Sequence, residues 1–355
     1  MFDIVSLGGA TQDVFVRSEG AQVLRVSDRQ HDRAWIGFDY GAKIPVETIA
    51  FMVGGGATNT AVAFSKLGLR SACAAKVGQD NAGDAVHQTL QAAGVSTELL
   101  VRAQGQTGYS VVLTSYEGER SILVFRGANE TLSVADLNWE LLRQTRWLYL
   151  SSLSGAAADI LPEVFSFARQ HSIQVAWNPG SAQLKLGLEV LRPWLQQVDL
   201  LFLNKEEAAL LTGQPLLKPA AEHLRQQPAH PVRPGFMYDL DTHLQTLRQQ
   251  VRQAVIITDG PRGTQVYDGI QVWLMPVFPV KVRDVLGAGD AFGAGFTAAW
   301  LTQPDPGQAL RWGSANGAGV VTDPGAHNGL QTRESLQTLL QAHAGIQPQA
   351  YALKA

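Results

Sequence analysis

Five short apolar runs punctuate the chain: "FDIVSLG", "WLYLSS", "IQVAWNPG", "VDLLFLN" and "AVIITDG". Each closes on Gly, Asn, Asp or Ser, and the segments between them space their apolar residues as helices do. That alternation predicts a mostly parallel sheet between layers of helices. Ligands of such sheets sit beyond the carboxyl ends of the strands. The polar residues near those ends, Asp13, Asn178, Asn204 and Asp259, are therefore the first candidates for chemistry.

Two regions break the pattern. Around "EGER", residues 98–126 alternate apolar and polar positions, as an antiparallel hairpin with a turn near Gly118 does. From about Val14 to Phe51 no helical spacing is visible. Together, about 14–51 and 98–126 predict a small β subdomain beside the main sheet, placed to cover its cleft, with plain surface loops as the alternative. A third region, about 214–240, holds Pro215, Pro219, Pro228, Pro231 and Pro234 among Gln and His, and reads as an insertion. The tail from about Gln347, "QPQAYALKA", is expected to be loosely held.

Composition narrows the function. With 355 residues, 45% of them hydrophobic, the chain can bury a large core. A net charge of -3 without any Lys/Arg-rich run argues against nucleic acid as a partner. Cys73 is the only cysteine, so an intrachain disulfide is excluded and a reducing cytoplasm is the expected setting. The first residues lack a basic n-region and no apolar span is long enough for a bilayer, so a secreted or membrane-spanning protein is not expected. The histidines are scattered and form no metal-ligand spacing, which leaves a zinc site or a Ser-His-Asp triad unsupported.

The chemistry concentrates in glycine clusters. In "VLGAGDAFGAGF", Gly287, Ala288, Gly289 and Asp290 form the first turn of a small-residue helix. Unpaired N–H groups at such a start bind anions, and small side chains let a phosphate approach them. Asp290 there feels the positive end of the helix dipole and is expected to stay ionised near neutral pH, where it can orient a hydroxyl and accept its proton. A plain helix cap with glycines for packing is the alternative reading. The second cluster, Gly54, Gly55 and Gly56, joins a strand-like run to a helix carrying Ala61, Phe64 and Leu67. Such a turn exposes backbone to a ligand, and Asn59 offers it both a donor and an acceptor; a plain tight turn is the alternative reading. The spacing is neither a dinucleotide-binding G-x-G-x-x-G nor a Walker A loop.

Three weaker signals follow. Asn204 closes a strand-like run with Glu207 three residues on; the carboxylate could hold Mg²⁺ through waters, or the pair could be a capping box. Thr258, Gly260 and Gly263 follow another strand. Asn316 lies in "SANGAG", within a small-residue helix that ends near Gly325.

Taken in order, these pieces resemble the ribokinase/PfkB family of carbohydrate and nucleoside kinases, from about Phe2 to about Leu340. The family's Gly-Gly-x-x-x-Asn-x-Ala…Leu-Gly signature is similar to Gly54, Gly55, Asn59, Ala61, Leu67 and Gly68, and its Asp-Thr-x-Gly-Ala-Gly-Asp to Asp284–Asp290. Asn204 and Glu207 match its Asn-x-x-Glu, and Thr258, Gly260 and Gly263 its Thr-x-Gly-x-x-Gly nucleotide loop. The resemblance implies one kinase domain over about 1–345, a three-layer α/β/α sandwich with a mostly parallel sheet and a small β-sheet lid.

It further implies ATP as phosphoryl donor, Mg²⁺ near Glu207, and a small sugar gripped by Asp13, Gly54, Gly55 and Asn59. Asn204, Thr258, Gly260, Gly263 and Asn316 would serve the nucleotide. Asp290 would be the general base, and the N–H groups of Gly287, Ala288 and Gly289 would stabilise charge on the transferring phosphoryl. A homodimer through the lid is also implied. Val285 and Leu286 replace the threonine-containing pair of the motif, which leaves a K⁺ site open, and Gly56 stands where ribokinases proper carry Lys. A nucleoside kinase and a non-catalytic sugar- or nucleotide-binding regulator are the competing readings.

Overall fold

The computed structural model describes residues 1–27, 32–114, 120–217 and 240–353. The turn near Gly118 and most of the Pro-rich insertion lie outside them. In chain order the strands are β1 (Phe2–Leu7), β2 (Thr11–Arg17), β3 (Gln22–Ser27), β4 (Asp32–Gly37), β5 (Thr48–Gly54), β6 (Ser71–Gly78), β7 (Leu100–Ala103) and β8 (Gly108–Thr114). They continue as β9 (Arg120–Phe125), β10 (Thr145–Leu150), β11 (Gln174–Trp177), β12 (Leu200–Asn204), β13 (Ala254–Thr258), β14 (Thr264–Tyr267), β15 (Val272–Met275) and β16 (Gln349–Tyr351). The helices are α1 (Gly56–Lys66), α2 (Asn81–Ala92), α3 (Trp139–Leu142), α4 (Leu161–Gln170), α5 (Ser181–Leu184) and α6 (Gly187–Leu195). After these come α7 (Lys205–Thr212), α8 (Asp241–Arg248), α9 (Ala288–Thr302), α10 (Pro306–Val320) and α11 (Arg333–Ala342).

Ten strands form the central sheet, in the order β16-β15-β14-β13-β12-β11-β10-β1-β6-β7. The seven from β13 to β7 run parallel, and β14, β15 and β16 add an antiparallel flank. Parallel strands carry helices on both faces, so their residues are apolar on both sides. Two cores result. Ile4, Phe64, Phe292 and Phe296 pack with α1, α2, α9, α10 and α11 on one face. Val5, Leu7, Phe165 and Leu201 pack with α4, α6, α7 and α8 on the other.

A second, four-stranded sheet, β5-β2-β8-β9, stands beside the first, and β3 and β4 pair as a separate hairpin. The alternating stretch of 98–126 thus divides: β7 joins the central sheet, while β8 and β9 enter the small one. Register sorts the small sheet's residues by face, because directly paired residues point the same way. Asp13, Ser110, Val124 and Met52 share one face; Val14, Val111, Leu123 and Phe51 share the other.

The tail corrects the expectation of a loose end. Gln349–Tyr351 pairs with β15, and Tyr351 buries its ring while its hydroxyl donates to Asp241 Oδ1 at 2.5 Å. One aromatic anchor and an open sheet edge outweigh the polar composition of its neighbours.

Phe64 is fully buried against Tyr149, ring centroids 5.7 Å apart and edge-on, between α1 and β10. Phe64→Ala should cost about 3–5 kcal/mol of stability, read as a lowered midpoint in denaturant unfolding.

Candidate active site

The strand ends and the small sheet converge on a cleft whose walls are backbone. Gly55, with φ of 97°, brings the turn before α1 so close to Gly9 and Ala10 that a Cβ would stand 2.7 Å from Ala10 Cα. Asn129 secures the opposite wall: its Oδ1 accepts from Ala10 N–H at 2.9 Å and its Nδ2 donates to Ala10 C=O at 2.8 Å. Gly54 leaves room for the Asp13 carboxylate, into which a Cβ at that position would collide. Asp13 is buried and its pKa raised by that burial, with Ser110 and the Thr11 hydroxyl, 2.9 Å away, acting in the opposite direction.

Asp290 occupies the first turn of α9, as the sequence suggested. Gly287 enters the helix in the left-handed region, φ 75°, with Ala326 packed against its Cα. Gly289 faces open space. The Ala288 N–H is turned back onto Val285 C=O by a long 3.3 Å bond, so it is weakly engaged. Burial raises the Asp290 pKa to about 6, and the amide of Asn59, donating to Oδ2 at 2.8 Å, acts the other way. Desolvation therefore outweighs the helix dipole invoked from sequence, although the carboxylate still ionises below neutral pH.

Asn59 holds a position that sequence reasoning did not foresee. Besides Asp290 it meets His327, whose Nε2 lies 2.9 Å from Asn59 Oδ1. His327 follows the turn at Gly325 and is surrounded by no distinctive motif, so only the fold brings it within reach. Asp284 is a second such link. It accepts from Leu286 N–H at 3.0 Å and Gly325 N–H at 3.1 Å, and pairs with Arg120 of β9 at 2.5 Å, tying the small sheet to the loop before α9.

The remaining candidates collect at the ends of β12 and β13. Asn204 and Thr258 are paired in register, which sets the Asn-x-x-Glu and Thr-x-Gly-x-x-Gly stretches side by side. Asn204 and Glu207 form the capping box: Asn204 N–H donates to Glu207 Oε2 and Glu207 N–H to Asn204 Oδ1, both at 2.8 Å. Burial raises the pKa of Glu207. Its second oxygen is not used by the cap and suits a water-mediated contact to Mg²⁺. Among the described residues no cluster of three or more His, Cys, Asp or Glu could hold a metal ion by itself. Gly260 and Gly263 both take positive φ, 52° and 102°. Between them and β13 sits buried Asp259, gripped by Lys205 and, at 2.5 and 2.6 Å, by Arg262.

Two candidates stand apart. Asn316 is fully buried; its Nδ2 donates to Ala291 C=O at 2.7 Å and its Oδ1 accepts from Gln331 N–H at 3.0 Å, which makes it a brace between helices. Asn178 donates to Phe202 C=O and joins neighbouring strand ends.

A mostly parallel sheet, a glycine turn opening into a helix beside a carboxylate, and a covering sheet define a phosphoryl-transfer enzyme of the ribokinase-like class. Residues 26–333 match the model of the pfkB family carbohydrate kinases, and the chain belongs to that family. An ATP-dependent ribose-1-phosphate kinase of Halopiger xanaduensis is 28% identical over 276 residues, covering 78% of this chain and 82% of the relative. The fold matches that of Arabidopsis thaliana ribokinase, solved with ribose and ATP, at TM-score 0.74 and 22% identity over 96% and 99% of the two chains. It also matches a Burkholderia thailandensis nucleoside kinase bound to inosine, at TM-score 0.73 and 17% identity over 99% and 100%. The chain is an ATP-dependent carbohydrate kinase, and a neighbour of the same fold was solved with ATP and Mg²⁺.

Gly54→Ala should push Asp13 out of place. We expect the KM for the acceptor to rise roughly tenfold while that for ATP holds, measured in steady-state kinetics.

Proposed function

We propose that this kinase transfers the γ-phosphoryl group of ATP to a hydroxyl of a small sugar, with Asp290 as the general base. The observation that carries the proposal is the Asp290 carboxylate itself, set in the first turn of α9 with a pKa raised by burial to about 6. A base works best when its pKa lies just below the working pH. Its Oδ2 is committed to Asn59, so Oδ1 is the oxygen that takes the proton from the acceptor.

The first-turn N–H groups at Gly287, Ala288 and Gly289 favour the negative charge that spreads over the phosphoryl oxygens, and Gly289 leaves their approach open. Asn204, Thr258, Gly260 and Gly263 supply the nucleotide side, and Glu207 would hold Mg²⁺ through water. Bound Mg²⁺ would neutralise phosphate charge. No role is assigned to K⁺, since Asp284, the carboxylate of that loop, already has Arg120 as its counter-charge. Asn316 is left to bracing.

Asp13, Asn59 and the Gly54–Gly55 backbone grip the acceptor. The adjoining cavity is about 150 Å³, lined by Thr11, Val124, Arg126, Asn129, Ser152 and Ser154. Its small size, beside the roughly 300–1,000 Å³ of pockets for larger ligands, and the hydrogen-bonding side chains of Thr11, Arg126, Asn129, Ser152 and Ser154 favour a sugar over a nucleoside. The small sheet acts as the lid, excluding water that would otherwise be phosphorylated. Its outer face exposes Ile49, Phe51, Leu123 and Phe125, each more than half uncovered, and this apolar face supports a homodimer through the lid. No helix among the described residues is long and apolar enough to cross a membrane, and the buried Cys73 thiol, its pKa raised to about 12, is inert; both fit work in the cytoplasm.

ATP turnover with Mg²⁺ across a panel of sugars and nucleosides tests the reading. One sugar should stimulate it, with kcat/KM falling about tenfold per pH unit below about 6, and Asp290→Asn should lower kcat about 10²–10⁴-fold. Stimulation by nucleosides alone would move the acceptor class, and full activity of Asp290→Asn would remove the base. Stability gives an independent sign. The folded pKa exceeds the ordinary 3.8, so ionisation works against the fold as pH rises from about 4 to about 6. Asp290→Asn should therefore raise Tm at pH 8 and leave it unchanged below pH 4.

The dimer is checked by sedimentation equilibrium: Phe51→Glu with Leu123→Glu should turn a dimer into a monomer, and an unmodified protein that sediments as a monomer would end that part of the proposal.

A further inference from the structure

We infer that His327 is a positioning residue for the base, acting through Asn59 to fix which oxygen of Asp290 faces the acceptor. The inference rests on Asp290 being the base and adds what holds it in place. Donor and acceptor logic sets the direction of the chain. A carboxylate can only accept, so the Asn59 group facing Asp290 Oδ2 at 2.8 Å is the amide Nδ2–H. That leaves Asn59 Oδ1, which also can only accept, against His327 Nε2 at 2.9 Å. The imidazole must then carry its proton on Nε2. The run is His327 Nε2–H to Asn59 Oδ1, then Asn59 Nδ2–H to Asp290 Oδ2.

The surroundings keep the imidazole neutral, with one proton and one fixed tautomer. Burial lowers its pKa to about 4 and the nearby Lys66 ammonium adds to the shift. Lys66, on α1, also anchors the loop by donating to His327 C=O at 2.9 Å. The other titratable groups around the chain are Asp290 itself, on α9, and Tyr149, on β10, whose hydroxyl is kept protonated by burial and by the Asp290 charge.

The same short loop touches the catalytic segment at two further points. Gly325 N–H donates to Asp284 at 3.1 Å, and Ala326 lies against Gly287. Residues 325–327 therefore bear on the start, the turn and the carboxylate of the Asp284–Asp290 stretch. With Oδ2 held, Oδ1 points toward Gly56, 3.7 Å from where a Cβ on that glycine would stand. A small reorientation of a base costs much of its rate, because proton transfer demands alignment.

The test begins on the unliganded full chain, so it does not wait on the acceptor. Protein labelled with ¹⁵N-histidine and ¹³C-aspartate is titrated by NMR, the resonances being assigned by loss in His327→Gln and Asp290→Asn. His327 should show the Nε2–H tautomer from pH 5 to 9. In His327→Ala the Asp290 carboxyl should titrate about half a unit or more higher, because Asn59 is no longer aimed at it. In His327→Gln, whose amide N–H can donate to Asn59 Oδ1, it should return toward the unmodified value. With an acceptor from the panel, His327→Ala should lower kcat about ten- to a hundredfold with the acid limb of the profile moved up, and His327→Gln should recover most of the rate. An Nδ1–H tautomer, an Asp290 titration that His327→Ala leaves unmoved, or equal impairment by Ala and Gln would overturn the inference. Should Asp290→Asn keep full activity, it is the base that fails, a result separable from any of these.

Discussion

Keeping a carboxylate charged where water is scarce is the constraint from which the rest of this site follows. Phosphoryl transfer needs a dry cleft, since water is itself an acceptor. Dryness raises the Asp290 pKa to about 6. The fold meets that cost with one directed hydrogen bond from Asn59 and with the positive end of α9, not with a cation. A lysine ammonium beside Asp290 would lower its pKa and depress its basicity. Lys66, the nearest positive charge on α1, is spent instead on a backbone carbonyl behind His327.

The second constraint is steric. A cleft walled by N–H and C=O groups requires main chains to meet with nothing between them. Gly55 against Gly9 and Ala10, and Gly287 against Ala326, are two places where such closeness coincides with a positive φ. Glycine is demanded twice at each, by conformation and by contact. The glycine turns that the sequence marked as open to a ligand are thus also points of close main-chain packing.

Much of this was legible beforehand. The runs ending at Leu7, Leu150, Asn204 and Thr258 are strands of the central sheet, because buried parallel strands write themselves as continuous apolar stretches. The turn at Gly54–Gly56 and the start of α9 were visible for the same reason that they matter, since few local structures tolerate so many small residues. Links between distant segments were not legible. His327 and Asn59 are 268 residues apart, and Arg120 and Asp284 are separated by 164. Nothing local distinguishes a histidine that aims an amide from one in a loop. Asn316 shows the converse: a polar residue in a small-residue helix looked available for a ligand, yet both ends of its amide close backbone gaps.

Asp284 shows how the two sheets come to act together. One of its oxygens orders Leu286 and the other Gly325, so the loop before α9 and the loop carrying His327 are fastened to one carboxylate. Arg120 reaches that carboxylate from the edge of the small sheet. An exposed ion pair between two rigid bodies contributes little, but this one is mostly buried and charge-assisted, and Asp284 has backbone donors to satisfy its remaining lone pairs. Movement of the small sheet away from the cleft would break the Arg120 contact and loosen the loop before α9 and the loop carrying His327. If the small sheet is the proposed lid, covering the acceptor and aligning the loops around Asp290 become the same event.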